Sequence, residues 1–394
     1  MKPAIQEVWR RHVYFLSGFD PKGAAYYHAL YQAEALKQSE VNAMAVQVGP
    51  RRRDADKNSS WAITAVAPDG RRCETSYEFS RWDDIVRRHW PRSTLRLLLD
   101  LLFAYLLMLR SGGITTVWKL SRKTLVGLIY PLVVLGGGLA LGVGLGAGAA
   151  AGLRGMGAGW PAAATAGLLL LALVLWATRR LEDQLNTTWL VRIFSFSGKQ
   201  ACGQLPELET RLDAMAGQLV KKMRANDVDE ILIVGFSVGS ILAVSSVARA
   251  LRAAEGDGPG VSYPAVSLMT LGHCIPMLGL VPQAEAFRAE LGELAQSEAL
   301  HWIDFSSPTD WGSFALVNPV SACKALPAGE TARNPVMRSP RFHTMFAAAA
   351  YAALRRNKRV MHLQYLMAGE LPSDYDYFAI TAGALTLAER YTSR

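Results

Sequence analysis

The sequence predicts an α/β protein whose doubly wound, mostly parallel sheet is interrupted by an inserted transmembrane hairpin. Two observations predict this architecture. Short apolar segments alternate with amphipathic ones on both sides of residues 93–182, as strands alternate with helices in a parallel sheet. Within 93–182 the chain is apolar over lengths that cross a bilayer. We therefore divide the chain into an N-terminal part of the α/β domain, 1–92, the membrane insertion, 93–182, and a C-terminal part, 183–394.

The strands and helices of the predicted sheet follow from local periodicity. Before the insertion, a strand begins at His12 and ends in a glycine turn, residues 24–37 have helical periodicity, and residues 61–66 and 74–79 are further strand candidates. After the insertion, the same patterns predict a helix at 207–224, a strand at 230–234, a helix after Ser237, a strand at 265–271, a helix at 284–296, a strand at 300–305 and a last strand at 335–338.

The insertion contains two runs of membrane-spanning character. Residues 125–153 are almost uninterrupted apolar sequence, rich in glycine and alanine, and residues 162–177 carry no charge. These runs predict two transmembrane helices, whose small residues let them approach closely. Residues 95–109 are shorter and include Asp100, so we expect an interfacial or re-entrant helix there. Two full crossings return the chain to its starting side, which a sheet built from both flanks requires.

The distribution of cations predicts the orientation in the membrane. The segment before the hairpin and the segment after it are rich in lysine and arginine, whereas the connecting loop has only Arg154. Cytoplasmic flanks carry this excess, so we expect a multi-pass protein of a bacterial-type inner membrane with its α/β domain in the cytoplasm. The N-terminus has no apolar core of a signal peptide, and the four cysteines lack the spacing of metal ligands. We accordingly expect a reduced protein without metal or cofactor.

The net charge of +9 indicates what the protein contacts. It suits a surface that faces the anionic headgroups of a lipid bilayer, and Arg51, Arg52 and Arg53 would contribute there. Aromatic residues are not interleaved with a basic stripe, so we do not expect nucleic acid as a partner. The sequence leaves the oligomeric state open, including a homo-oligomer.

The most informative motif is Gly235-Phe-Ser-Val-Gly239, which lies between an apolar strand and a helix rich in small residues. In such a tight strand-to-helix turn the serine adopts a strained conformation, and the two glycines let neighbouring backbone pass. Ser237 is then presented at a helix N-terminus, where backbone N–H groups stabilise an oxyanion. Ser237 is therefore the predicted nucleophile.

A serine nucleophile requires a base and an acid that orients the base. Asp310 follows the strand at 300–305 and is the predicted acid, while Asp304 competes but lies within the strand pattern. Two later histidines are candidates for the base. We favour His362, because its apolar and aromatic surroundings would fix an imidazole, and His343 is the alternative.

The remaining candidates surround the serine. The N–H of Val238 and an N–H from the Gly18-Phe19 turn after the first strand would form the oxyanion hole. His273 follows another strand and, with Phe236 of the motif, is expected to line the pocket.

The chain resembles the α/β-hydrolase fold in four segments taken together: the strand and turn from His12, the Gly-Phe-Ser-Val-Gly turn, the Ser306–Asp310 segment and the late His362. The resemblance covers residues 10–92 and about 185–385. It implies an esterase, lipase or thioesterase activity through an acyl-serine intermediate. The leading expectation is thus a membrane-anchored serine hydrolase of a lipidic or amphiphilic ester. The alternative is a catalytically silent interaction or assembly protein on the same scaffold.

Overall fold

A computed structural model describes residues 7–54, 58–90, 94–185, 187–258 and 261–392. The chain forms two compact units. The first contains residues 1–90 and 196–394, and the second contains residues 91–195. The first unit is thus assembled from segments before and after the second.

The first unit is built on a nine-stranded mixed sheet. Its strands are β1 (Arg10–Leu16), β2 (Ala45–Val48), β3 (Arg52–Arg53), β4 (Ser59–Val66), β5 (Arg72–Phe79), β6 (Glu230–Phe236), β7 (Ala265–Leu271), β8 (His301–Phe305) and β9 (Val336–Arg338). Their order is β2-β4-β5-β1-β6-β7-β8-β9, with β3 paired to β4. The pairs from β5 through β9 are parallel, and those of β4 with β2, β3 and β5 are antiparallel.

Sixteen α-helices lie in the described residues. They are α1 (Ala24–Asn42), α2 (Asp83–His89), α3 (Thr94–Arg110), α4 (Gly113–Leu120), α5 (Arg122–Gly155), α6 (Trp160–Leu185), α7 (Thr187–Ala201), α8 (Pro206–Ala225), α9 (Gly239–Glu255), α10 (Ile275–Gly279), α11 (Glu285–Gln296), α12 (Pro319–Ala322), α13 (Ala348–Arg356), α14 (Lys358–Leu363), α15 (Tyr377–Ala382) and α16 (Leu387–Thr392). Two 3-10 segments, Phe342–Thr344 and Gln364–Leu366, flank α13 and α14. The sheet and the helices together confirm the α/β class that the sequence predicts.

Strand β6 is the centre of the sheet and of its core. All seven of its residues are buried, because β1 and β7 pair with it on both edges and helices cover its faces. At its amino end the buried Arg11 of β1 donates to Glu230 over 2.7 Å and to the carbonyl of Gly383 over 2.7 Å. This buried ion pair joins the C-terminal helices to the centre of the sheet. The opposite, carboxyl edge of the strands carries the candidate site.

The antiparallel part of the sheet differs from the sequence prediction, which did not include β2 and β3. Strands β4 and β5 form a hairpin closed by a turn in which the N–H of Gly70 donates to the carbonyl of Ala67 over 2.9 Å. Gly70 has a φ of +86°, the left-handed conformation that glycine adopts at low cost. The turn therefore reverses the chain within a few residues, and the two strands pair directly.

The second unit is helical. Two helices, Arg122–Gly155 and Trp160–Leu181, are long and apolar enough to cross a membrane, and the pair Arg96–Arg110 and Gly113–Leu120, bent by 81°, has the composition of one broken span or a re-entrant loop. Helices α5 and α6 contact each other closely at their glycines, since a Cβ on Gly146 would lie 2.6 Å from the carbonyl oxygen of Gly167. The two helices thus pack through small residues, as the sequence predicted.

Candidate active site

The sharp turn between β6 and α9 holds Ser237 in an uncommon backbone conformation. Its φ is +56°, in the left-handed region that costs a non-glycine residue about 1–2 kcal/mol. The turn is held in place because the Ser237 N–H donates to the carbonyl of Leu271 over 2.9 Å. Backbone strain of this kind is typical of functional turns. The side chain of Ser237 lies at the carboxyl edge of the sheet, directly before α9.

Two glycines make this turn sterically feasible. A Cβ on Gly239 would lie 2.1 Å from the carbonyl oxygen of Leu16, and a Cβ on Gly235 would lie 2.7 Å from the Cα of Ser240. Both are contacts with backbone, which cannot move away as a flexible side chain can. The spacing Gly-x-Ser-x-Gly is therefore required by the approach of β1 and α9 to the turn.

The loop after β1 lies against the serine. A Cβ on Gly18 would be 3.0 Å from the Cβ of Ser237, so a larger residue would push the loop and the serine apart by a few tenths of an ångström. The next residue, Phe19, is buried, with its ring 4.8 Å from Phe196 and 6.2 Å from Trp82 between centroids. The Trp82 ring N–H donates to the Ser17 carbonyl over 3.0 Å, which fixes the same loop.

Two of the predicted oxyanion-hole residues lie next to the serine. Val238 follows Ser237 and is the N-cap residue of α9, and the first N–H groups of a helix have no partner among the carbonyls of their own helix. Gly18 of the loop after β1 lies against the Ser237 side chain, and Phe19 follows it in the chain.

Asp310 and His362 form a buried pair. The Nδ1 atom of His362 lies 3.0 and 2.9 Å from the two carboxylate oxygens of Asp310. Asp310 follows β8, and His362 lies in α14, which begins with the Asn357 side chain capping the N–H of Val360 over 3.1 Å. The aromatic ring of Phe236, next to the serine, lies 5.0 Å from the imidazole between centroids. The imidazole therefore lies beside the side chain of Phe236, the residue before Ser237.

Further hydrogen bonds hold the carboxylate of Asp310. The Gly312 N–H donates to it over 2.9 Å and the Tyr365 hydroxyl over 3.1 Å. Burial by itself raises the pKa of Asp310, but the charge and hydrogen bond of His362 and the bond from Gly312 outweigh it, so the pKa lies below the ordinary value of 3.8. The carboxylate is therefore ionised at neutral pH, and it orients the imidazole so that Nδ1 carries a proton.

Cys274 connects the serine to this pair. Its Sγ lies 3.6 Å from Ser237 Oγ, and it donates to the Gly312 carbonyl over 3.4 Å. Gly312 in turn lies against the imidazole, because a Cβ there would be 3.0 Å from His362 Nδ1. Burial raises the pKa of the Cys274 thiol to about 12, so the thiol is neutral. It is a weak hydrogen-bond partner beside the serine and a poor nucleophile.

The two other histidines of interest lie elsewhere. His343 is exposed in the 3-10 segment and its ring is 6.2 Å from Tyr351, so the structure does not bring it to Asp310. His273 is fully buried: its Nε2 lies 3.0 Å from the Val317 carbonyl and 3.9 Å from Asp304. His273 therefore belongs to a polar cluster around Asp304, next to the site rather than on the serine.

Sequence reasoning missed two residues of the site. Cys274 lies three residues past the end of β7, where the carboxyl edge of a parallel sheet collects functional groups. Tyr365 lies three residues after His362, which places both on one side of a continuing helical segment. The available signal for Cys274 was its position after a strand, and the available signal for Tyr365 was its spacing from His362 along a helix.

No protein-family model, no curated protein and no solved structure matches the chain, so the comparisons assign it to no family. Within the described ranges, no three His, Cys, Asp or Glu side chains are grouped as metal ligands. The arrangement must be interpreted from its own chemistry. It combines a serine held at positive φ before a helix with a buried carboxylate that orients an imidazole.

Proposed function

We propose that the protein is a membrane-anchored serine hydrolase, which cleaves an ester or thioester of a lipidic or amphiphilic substrate through an acyl-serine intermediate. The single observation that carries the proposal is the hydrogen bond of 2.9 Å between His362 Nδ1 and the Asp310 carboxylate. The imidazole of this pair lies against Phe236, the residue before Ser237. A buried carboxylate that orients an imidazole has a direct use in activating a hydroxyl.

In the proposed reaction, Ser237 Oγ attacks the acyl carbon while its proton passes to His362. Asp310 stabilises the imidazolium that forms, and the backbone N–H groups of Val238 and Phe19 hold the negative oxygen of the tetrahedral intermediate. Collapse of this intermediate breaks the bond to the alcohol or thiol, which takes the proton from His362. Water, deprotonated by the same imidazole, then releases the acid and restores Ser237.

The proposed substrate class rests on the second unit. Its two membrane-length helices favour a location where amphiphilic esters partition, and the excess of flanking cations favours the cytoplasmic side of an inner membrane. An acyl chain that is already dissolved in the bilayer reaches a tethered enzyme by diffusion in two dimensions.

A second candidate function is a catalytically silent assembly protein on this scaffold. It is favoured by the burial of the site, because Ser237, Asp310 and His362 are exposed by 1, 2 and 5%. On this alternative the polar groups stabilise the fold and never meet a substrate.

Labelling by a fluorophosphonate separates the two. We expect the wild-type protein in lipid nanodiscs to be labelled, and Ser237→Ala and His362→Ala to be unlabelled although folded. His343→Ala serves as the matched control and keeps wild-type labelling. A folded wild-type protein that resists the probe in every lipid tested would refute the hydrolase and leave the silent scaffold.

A further inference from the structure

One surface of the first unit combines exposed alanines with exposed cations, and Glu370 lies at its start, where it accepts from the Ala347 N–H over 3.4 Å. This surface consists of residues 347–359, which include α13 and the start of α14, together with Trp311. Helix α13 has no buried residue, and five alanines, Ala347, Ala348, Ala349, Ala352 and Ala353, are exposed. Tyr351 and Leu354 of this helix are partly buried and pack against the core, whereas the five alanines face outward. We call residues 347–359 and Trp311 the α13 surface.

The end of the α13 surface is strongly cationic. Arg355, Arg356, Lys358 and Arg359 are all exposed, and residues 347–359 contain no aspartate or glutamate. The cations are therefore not neutralised within their own segment. A cluster of this size directly after an apolar helical turn is typical of segments that contact anionic lipid.

Trp311 adds an interfacial aromatic ring to these cations. It is 37% exposed, and Lys358 Nζ lies 4.5 Å from the centre of its ring. Tryptophan is enriched at the level of lipid headgroups, since its ring is apolar and its N–H is polar. Leu316, which follows in the same loop, is 43% exposed and extends the apolar character.

The α13 surface is joined to the candidate active site at both ends. Trp311 is the residue after Asp310, and α14 carries His362 a few residues beyond the cations. Between them, the Tyr351 hydroxyl of α13 lies 3.4 Å from Thr309 Oγ1, which lies next to Asp310 in the chain. A displacement of α13 would therefore move the segments that enclose the buried pair.

We propose that the α13 surface docks on an anionic phospholipid bilayer and that this docking exposes Ser237 to its substrate. The access part of the proposal rests on the proposed hydrolase function, whereas the docking part does not. In the docked state the alanines and Trp311 enter the headgroup region and the four cations neutralise lipid phosphates. The buried state of Ser237 is then the resting state away from anionic lipid.

A lipid surface fits these observations better than another occupant does. The chain has two helices of membrane length, so a bilayer is available to it. Exposed alanines and a tryptophan beside the cations suit an apolar boundary, whereas a nucleic acid would use cations without a need for the apolar helix face. An acidic protein would also bind the cations, and the experiment includes it as a competitor.

The experiment uses the full chain in nanodiscs of phosphatidylcholine, alone or with one third phosphatidylglycerol. One readout is quenching of a fluorophore at Ala349→Cys, in a Cys202→Ala background, by nitroxides on the lipid headgroups. The other is the rate of fluorophosphonate labelling of Ser237. We expect phosphatidylglycerol to increase both.

The charge variant is Arg355→Gln with Arg356→Gln. Each cation near an anionic surface contributes about fivefold to binding, so the pair should reduce the phosphatidylglycerol effect by about 25-fold. Lys221→Gln with Lys324→Gln removes the same charge from exposed positions elsewhere and should change neither readout. Ala352→Glu, at another exposed alanine, should weaken docking while Ala352→Gln does not, and both retain good helix formers.

The outcomes separate the two proposals. Three results would overturn the docking proposal. The quenching does not change with phosphatidylglycerol, the Lys221→Gln and Lys324→Gln control reduces it as much as the arginine pair does, or equimolar polyglutamate suppresses it. Quenching without any labelling keeps the docking and refutes the hydrolase. Labelling that is equally fast in both lipids refutes the coupling of docking to access.

Discussion

Replacing Asp310 by asparagine removes one negative charge from the buried pair and changes almost nothing in shape. The carboxylate accepts bonds from His362 Nδ1, from the Gly312 N–H and from the Tyr365 hydroxyl. An asparagine has one acceptor oxygen and an NH₂ group in place of the second oxygen. The NH₂ group would face an N–H donor, so the imidazole is expected to change tautomer and carry its proton on Nε2.

That tautomer cannot accept the proton of Ser237, and the imidazolium also loses its counter-charge. In serine hydrolases this loss lowers turnover by roughly 10⁴-fold, and we expect about 10³–10⁴-fold here, or about 4–5.5 kcal/mol in the barrier. One charge-assisted hydrogen bond is lost from the folded state, so the free energy of unfolding should fall by about 1.5–3 kcal/mol.

The assay is hydrolysis of a p-nitrophenyl ester by the variant in nanodiscs, with folding checked by thermal unfolding. Asp304→Asn is the matched control, because Asp304 is also fully buried, in the preceding strand β8, and its carboxylate lies 3.9 Å from His273. We expect it to keep activity within about tenfold, a loss of less than about 1.4 kcal/mol. A folded Asp310→Asn variant with near wild-type turnover, or an equal loss in Asp304→Asn, would refute the assignment of acid and base.

Three other measurements test the serine turn, the buried carboxylate and the cysteines. Gly239→Ala should destabilise the fold by about 3 kcal/mol or more, because the added Cβ would meet the Leu16 carbonyl. The control Gly217→Ala is exposed in α8 with open space around it and should stabilise the fold by about 0.5–1 kcal/mol. Similar shifts of the urea midpoint in the two variants would contradict this expectation. The lowered pKa of Asp310 means that its ionised form stabilises the fold above the unfolded pKa and that this contribution is lost as pH falls. Unfolding free energy should thus drop more steeply below about pH 4 in wild type than in Asp310→Asn, and parallel curves would contradict the sign. Ellman's reagent should titrate only Cys202 in the folded protein, since the other three cysteines are buried; a second fast thiol would contradict their burial.

Much of the fold could be predicted from periodicity, because its parallel strands contain short apolar runs followed by turn residues. Strand β6 and helix α9 are examples: an apolar run in β6 and an apolar first part of α9 are separated by the turn that Gly235 and Gly239 mark. The antiparallel pairs could not be obtained in this way. Strands β2 and β3 are short and partly exposed, so they lack the buried pattern that signals a strand. The Pro68-Asp69-Gly70 segment between β4 and β5 has residues that suit a hairpin turn, a signal that the sequence prediction did not use.

The candidate site was predictable in its parts that follow strands. Ser237, Gly18 and Asp310 all lie just past strand ends, and parallel strands bring such residues to one edge. The choice between His362 and His343 depended on tertiary packing, because both follow the acid in the chain and only the fold of 336–366 decides which one reaches it. The contact of Cys274 with the serine likewise depends on how β7 ends beside β6.

The proposed reaction requires a covalent acyl intermediate on Ser237. This intermediate can be trapped by mixing the protein in nanodiscs with a p-nitrophenyl ester, quenching with acid within the first turnover and mapping the acyl mass on peptides. We expect the acyl group on Ser237 and none on the Ser237→Ala variant. An acyl group on Cys274, which lies 3.6 Å away, or on neither residue during measurable hydrolysis would contradict it.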